Sequence, residues 1–276
     1  MYNNYFKNKI ALITGGGSGI GRGLCRQLDA AGATAICTDI NLTHATETIS
    51  MLSSKAEARL LDVTDDSDIA GVIEDIVKKH GRLDLIFNNA GLAISGELRD
   101  ISMTDWRKLM DVNFYGVLYG SQAAYQVMLK QGNGQIVNIA SAAGLVDDLA
   151  LLAPYSVSKH AVVNYTHILR LEAEELGIKA NVVCPGFIST SIGENATDAN
   201  AKPGWRQKSK DMVAKGVTVE SAANSILKGV AANKRNIVFP GETRAINGFA
   251  AMFGGLFRRG MKRSIKDFRQ NYRIND

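Results

Sequence analysis

The chain has 276 residues, of which 46% are hydrophobic and 21% charged, an ordinary globular balance that can bury a full core. Its net charge of +5 resides in residues 242–276, where eight Lys/Arg face three acids; the rest of the chain is balanced. No apolar run approaches the ~20 residues of a membrane span, and residues 1–9 are too polar for a secretory leader. Cys25, Cys37 and Cys184 have no paired spacing, which points to buried thiols in a reducing cytoplasm. The four histidines supply no ligand pattern, and no base-stacking or basic-helix motif accompanies the charge. Neither a metal nor a nucleic-acid partner is expected.

Residues 9–14 read as a short buried strand. Gly15-Gly16-Gly17-Ser18-Gly19-Ile20-Gly21 then opens a helix with Ile20, Leu24 and Leu28 at helical spacing. Glycines between a strand and a helix let the backbone approach a pyrophosphate, which a helix N-terminus attracts; a flexible turn is the plainer alternative. Residues 34–38 form a second strand ending at Asp39. A carboxylate about 20 residues past the glycines suits a ribose 2′-hydroxyl and repels a 2′-phosphate. No arginine follows Asp39, and Gly17 and Ser18 supply no cation, which favours NAD over NADP. A helix N-cap is the other role open to Asp39.

Residues 58–61 form a third strand that runs into Asp62-Val63, and an acidic helix start at Thr64-Asp65 leads a helix to Lys79. A fourth strand, 83–87, closes in Asn88-Asn89-Ala90-Gly91, whose amides either tie neighbouring strands or line a cofactor crevice. Residues 106–130 are a long helical stretch holding Asn113. A fifth strand, 135–140, ends at Ser141, and a second long helix spans 154–176. A sixth strand, 179–184, stops at Pro185-Gly186; residues 188–216 form a loop with a helical piece, 219–233 a helix and 237–239 a last strand. Strands alternating with helices imply a parallel sheet covered on both faces.

Tyr155 and Lys159 lie four apart on the second long helix and so share a face. A free tyrosine, with a pKa of about 10, is a poor base at neutral pH. An ammonium group beside it, helped by the positive end of the helix dipole, favours the phenolate. Tyr155 is therefore a candidate general acid/base with Lys159 as its tuner; the plain alternative is a solvated helix face.

Thr14-Gly15-Gly16-Gly17-Ser18-Gly19-Ile20-Gly21, the Asn88-Asn89-Ala90-Gly91 tetrad, Asn113, Ser141, Tyr155-x-x-x-Lys159 and Pro185-Gly186 follow one another as in the short-chain dehydrogenase/reductase family. The chain resembles that family over about residues 8–240. The resemblance implies a single-domain, Rossmann-like, doubly wound α/β fold with a parallel seven-stranded sheet. It implies that Gly15, Ser18, Gly19, Ile20 and Gly21 surround the pyrophosphate, Asp39 holds the adenosine ribose and Asp62 and Val63 flank the adenine. Asn89 would line the cofactor cleft, while Ile188 and Thr190 would meet the nicotinamide amide. Asn113, Ser141, Tyr155 and Lys159 would form the catalytic tetrad, with Tyr155 and Lys159 also touching the cofactor. It further implies a homodimer or homotetramer with the two long helices as contacts.

Leu92, Ala93, Ile94, Leu145, Leu149, Leu151, Leu152 and Phe187 lie near strand ends or before Tyr155, and suggest a lipophilic secondary alcohol or ketone as substrate. They could instead pack a core or an interface. Lys202, Arg206, Lys208, Lys210 and Lys215 in the lid could attract a phosphorylated acyl carrier, or form a solvated, salt-sensitive surface. The rival enzymatic reading is an NADPH-dependent β-ketoacyl-thioester reductase; a non-catalytic dinucleotide sensor is the third reading. Residues 1–241 are expected to form the catalytic domain, with a substrate lid at about 188–216, and 242–276 an apolar then basic tail. Within that tail, 245–263 suits peripheral contact with an anionic membrane, although Gly254-Gly255 weakens a helical anchor; otherwise the tail covers the active site or a neighbouring subunit.

Overall fold

The computed structural model describes residues 3–53, 55–190 and 196–275, with the backbone alone at 246 and 251. A short turn, α1 (Asn3–Phe6), buries Phe6 and leads into β1 (Ile10–Thr14), buried throughout as a central strand of a two-sided sheet must be. The chain then alternates through α2 (Gly19–Ala30), β2 (Thr34–Asp39), α3 (Leu42–Ile49), β3 (Glu57–Leu60), α4 (Asp66–His80) and β4 (Leu85–Asn88). Local chemistry sets the helix ends. The Asp65 carboxylate caps α4 by accepting from the Ser67 and Asp68 amides, Asp66 and Asp68 fill its first turn, and Lys78, Lys79 and His80 its last. Gly81, at φ +76°, then turns the chain out.

A two-residue strand, β5 (Ile94–Ser95), precedes α5 (Met103–Met110) and α6 (Gly116–Gln131). Then come β6 (Gly134–Ile139), α7 (Ala153–Ala173), β7 (Ile178–Pro185), β8 (Thr197–Asp198), α8 (Pro203–Ala214), α9 (Val219–Ala231), β9 (Asn236–Phe239), α10 (Gly241–Met252) and α11 (Gly254–Asp267). The main sheet has seven parallel strands in the order β3-β2-β1-β4-β6-β7-β9. Strand order reverses between β1 and β4, which opens a crevice at their carboxyl ends. On one face Leu24 and Leu28 of α2 meet Ala222, Ile226 and Val230 of α9. On the other, Ile69, Ile73 and Ile76 of α4 pack with Ala124 and Met128 of α6 and Leu169 of α7. The expected Rossmann-like doubly wound α/β fold is present.

Several local expectations change. The stretch expected as one helix over 106–130 is α5 and α6 joined by a π turn, Asp111–Tyr115, which holds Asn113. Asn41, not Asp39, caps α3, accepting from the Thr43 and His44 amides. The tail forms two helices that break at Phe253, one residue before the glycine pair. Of the expected lid, residues 191–195 lie outside the described residues; the remainder includes β8, paired with β5, and α8.

Candidate active site

The glycine turn between β1 and α2 is shaped by contacts that only glycine permits. Gly15 and Gly19 have φ of +61° and +47°, a region glycine enters without strain. A Cβ on Gly21 would fall on the Gly15 carbonyl oxygen, so α2 can start against the turn only without a side chain there. The Gly17 amide donates to Asp39 Oδ2 and the Asn41 amide to Oδ1, both at 3.0 Å. Asp39 is thus fixed at the tip of β2 beside the turn, and the carboxylate keeps further lone pairs for a ligand. The Thr190 methyl lies 3.3 Å from where a Gly19 Cβ would stand, so Thr190 faces this turn. Ser18 and Ile20 flank Gly19 at the start of α2, and Ile188 is buried at the end of the β7 loop. A cradle with open glycines at a helix N-terminus, closed by a carboxylate, fits a dinucleotide.

The two asparagines after β4 divide their labour. Asn88 is buried and donates to Asn138 Oδ1 at 2.8 Å and Ser121 Oγ at 3.1 Å, which ties β4 to β6 and α6. Asn89 donates to the Thr14 and Gly15 carbonyls at 2.9 and 3.1 Å, bridging the switch point between β1 and β4. Asp62 accepts from the Thr64 amide at 2.9 Å, and Val63 lies against Gly116, where a Cβ would be 2.9 Å from its Cγ2. Strand tying therefore accounts for Asn88, and Asn89 bonds at the rim of the crevice.

Three elements bring the remaining candidates together. Asn113 is fully buried; its Oδ1 accepts from the Leu92 amide at 2.7 Å and its Nδ2 donates to the Leu92 carbonyl at 2.9 Å and Ser158 Oγ at 3.3 Å. A π turn widens the helix by one residue, which re-aims this side chain into the sheet edge. Ser141 follows β6 in extended conformation and accepts from the Ala143 amide at 3.1 Å. Gly144 lets that turn close on α7, since a Cβ there would be 2.6 Å from the Lys159 carbonyl carbon. Pro154 starts α7, where its missing N–H leaves no intrahelical bond broken, and Tyr155 and Lys159 follow on one face. Lys159 is 3% exposed and donates to the Ile139 carbonyl at 3.0 Å, with its ammonium 5.7 Å from the Tyr155 ring centre.

Burial dominates the electrostatics of this group. Burial pushes the Tyr155 pKa above its ordinary value, against a smaller lowering by its hydrogen bond to Ser141. The Lys159 ammonium turns to the Ile139 carbonyl rather than to the phenol oxygen. Burial lowers Lys159 itself to about 8, opposed by the Cys184 thiol, which burial pushes up to about 12. The three cysteines are free and buried.

Sequence reasoning passed over the main-chain partners. The Leu92 amide and carbonyl that clamp Asn113, and the Ile139 carbonyl that takes Lys159, carry no side-chain signal. Gly91 stands between Asn113 and Lys159, where a Cβ would be 3.4 Å from Asn113 Oδ1 and 3.6 Å from Lys159 Nζ; its place in the tetrad was the available clue. Of the apolar candidates, Ile94 joins Ile101 and Leu109 in a buried cluster against which Trp106, Ala199 and Tyr155 pack, whereas Phe187 is exposed.

Residues 9–201 match the family model for short chain dehydrogenases. The chain belongs to the short-chain dehydrogenase/reductase family. It is similar to a cyclohexanol dehydrogenase of an Acinetobacter species, 37% identical over 198 residues that cover 70% of this chain and 78% of that one. A 3-oxoacyl-(acyl-carrier-protein) reductase of Thermotoga maritima is 36% identical over 191 residues, 68% of this chain and 77% of its own. A short-chain dehydrogenase/reductase from Burkholderia phymatum, solved in complex with NAD, superposes with a TM-score of 0.84 at 25% identity, covering 92% of this chain and 96% of that one. As a short-chain dehydrogenase/reductase, this chain is a nucleotide-binding oxidoreductase acting on CH–OH groups. Among the described residues no helix is long and apolar enough to cross a membrane.

Proposed function

We propose that this enzyme interconverts a lipophilic secondary alcohol and its ketone with NAD(H) as its preferred cofactor. The observation that carries this reading is the convergence of Tyr155, Ser141, Lys159 and Asn113, from α7, the end of β6 and a π turn, at the carboxyl edge of the sheet beside the glycine cradle. A bound nicotinamide supplies the hydride acceptor or donor. Tyr155 takes the hydroxyl proton in oxidation and returns it in reduction. Ser141 donates to the substrate oxygen and steadies its alkoxide character. Lys159, charged below a pKa of about 8, contributes positive potential near the phenol and a donor for the nicotinamide ribose. Asn113, clamped on Leu92, holds the approach to Lys159 in place.

For the cofactor, Gly15, Ser18, Gly19, Ile20 and Gly21 take the pyrophosphate, Asp39 the adenosine ribose, Asp62 and Val63 the adenine, and Ile188 and Thr190 the nicotinamide amide, while Asn89 lines the cleft. Asp39 supports NAD, because an additional 2′-phosphate would meet a carboxylate already held at the turn. The apolar cluster of Ile94, Ile101, Leu109 and Trp106 next to Tyr155 supports a lipophilic substrate. On this reading residues 1–241 carry cofactor and chemistry, 242–276 form an appendage, and the enzyme works as a homodimer or homotetramer. Phe249, Met252, Phe253 and Leu256 form an exposed apolar stripe beside Arg259, Lys262, Arg263 and Lys266, which supports peripheral contact with an anionic membrane.

Tyr155→Phe decides the catalytic reading: turnover should be abolished while NADH binding, read by fluorescence titration, persists. Unchanged turnover sinks it. Tighter NADPH than NADH in the same titration would move the β-ketoacyl-thioester reductase reading, favoured by the Thermotoga maritima relative, to first place.

A further inference from the structure

The last turn of the chain, Phe268–Tyr272, lies beyond the family match and yet reaches the substrate side of the site. Phe268 is fully buried, with Trp205 of α8 edge-on at 4.9 Å; Trp205 also meets the Tyr272 ring at 5.6 Å. Main-chain bonds add to the seam. The Lys202 amide donates to the Tyr272 carbonyl at 2.6 Å and the Ile274 amide to the Asn200 carbonyl at 3.1 Å.

Two arginines then cross to the segment after β5. Arg269 gives Glu97 Oε1 two bonds, at 2.8 and 2.6 Å, and Arg273 reaches Asp100 at 3.2 and 3.0 Å. Glu97 is 7% exposed and Arg273 6%, so the Arg273 contacts are sheltered from water and from salt, whereas Arg269 stays half-exposed. From there the contacts run on to Tyr155. Ser95 donates to Asp198 at 2.6 Å and accepts from Trp205 Nε1 at 2.8 Å, which locks β5, β8 and α8 into one wall. Gly96 donates to the Leu151 carbonyl at 2.9 Å in the loop before α7, and Ala199 and Tyr155 both pack against the cluster that Ile94 forms with Ile101 and Leu109.

We propose that the C-terminal turn is a strap that sets the substrate-side wall over Tyr155, with Phe268, Arg269 and Arg273 as positioning residues for the substrate. The catalytic part of this rests on the dehydrogenase reading above. Neither arginine reaches the reacting atoms; both act through Glu97 and Asp100 on where Ile94, Ala199 and Trp205 stand.

The test compares the full-length wild type with the Arg269→Gln/Arg273→Gln variant by amide hydrogen exchange, NADH titration and steady-state kinetics with an alcohol substrate. Exchange should rise in residues 94–100 and 196–214, kcat/KM should fall by about tenfold or more, and NADH affinity should stay within about twofold. Arg269→Lys/Arg273→Lys, which keeps charge but not the fork, should recover part of the loss. Unchanged exchange in both segments overturns the strap, as does a loss of protection across the whole chain with an equal loss of NADH affinity. If the double variant does not fold, Arg269→Gln alone, at a half-exposed side chain, is read the same way. A wild type with no turnover on any alcohol or ketone refutes the dehydrogenase reading, while the exchange data still decide the strap.

Discussion

Lys159→Met should stabilise this protein at neutral pH while destroying its activity. The ammonium is almost wholly buried, and desolvation lowers its pKa from 10.5 to about 8. At roughly 1.4 kcal/mol per pK unit, keeping Lys159 charged costs the native state about 3 kcal/mol below pH 8. The sign follows from proton counts. Below pH 8 both native and unfolded chains hold the proton, so the cost is fully present. Between 8 and 10.5 the native state has released the proton and the unfolded chain has not, so stability rises with pH and the cost fades. Methionine removes the charge at similar length and packs adaptably, but it forfeits the bond to the Ile139 carbonyl, worth about 1 kcal/mol. The variant should therefore gain about 2 kcal/mol at pH 7 and become about 1 kcal/mol the less stable partner near pH 10.5. Urea denaturation followed by far-UV circular dichroism at several pH values checks both ends. A variant less stable than wild type at pH 7, or a difference that does not move with pH, would refute the reasoning.

Gly21→Ala should weaken NADH binding by about tenfold or more, because its Cβ falls on the Gly15 carbonyl and lies 2.7 Å from Asn89 Nδ2, deforming the cradle. Gly71→Ala is the control in α4: nothing lies within 4 Å of its Cβ, and a gain of about 0.5–1 kcal/mol in thermal or urea stability is expected with cofactor affinity unchanged. Asn138→Ala should cost about 2–4 kcal/mol in the same denaturation assay, since it takes their shared acceptor from Asn88 and Ser121, leaving only the bond between those two, removes the donor to Thr166 and opens a cavity; a cost under about 1 kcal/mol would mean water replaces the amide.

What was legible in the sequence was whatever a residue type declares about its own backbone or its own charge. Short apolar runs placed all seven main strands to within a residue or two, and Asp65 announced the start of its helix through capping. The glycine turn was readable because glycines between a strand and a helix let the backbone come close to a ligand, and Gly15 and Gly19 there take φ of +61° and +47°. The Asn113 clamp was not, for two reasons. A π turn leaves the helical periodicity on either side intact, and the partner is the Leu92 main chain, which any residue could supply. The bond from Lys159 to Ile139 was not legible for a related reason: four-residue spacing puts two side chains on one face but does not say which strand-end carbonyl an ammonium will reach.

The tail gives the opposite lesson. Its surplus of basic residues suggested an external anion, and Arg259, Lys262, Arg263 and Lys266 on α11 still fit that idea. Yet Arg269 and Arg273 find their anions at home, in Glu97 and Asp100, more than 170 positions earlier in the chain. Composition counts charges by segment, whereas pairing depends on which segments the fold brings together. Glu97 and Asp100 sit in a stretch with no periodicity, next to a strand only two residues long, so nothing local advertised them as partners. A carboxylate held at 7% exposure needs a cation or a dense set of donors, because leaving it unpaired in a dry site is expensive. Glu97 draws one cation from its own segment, Arg99 at 3.2 Å, and the C-terminal turn supplies the others, Arg269 to Glu97 and Arg273 to Asp100.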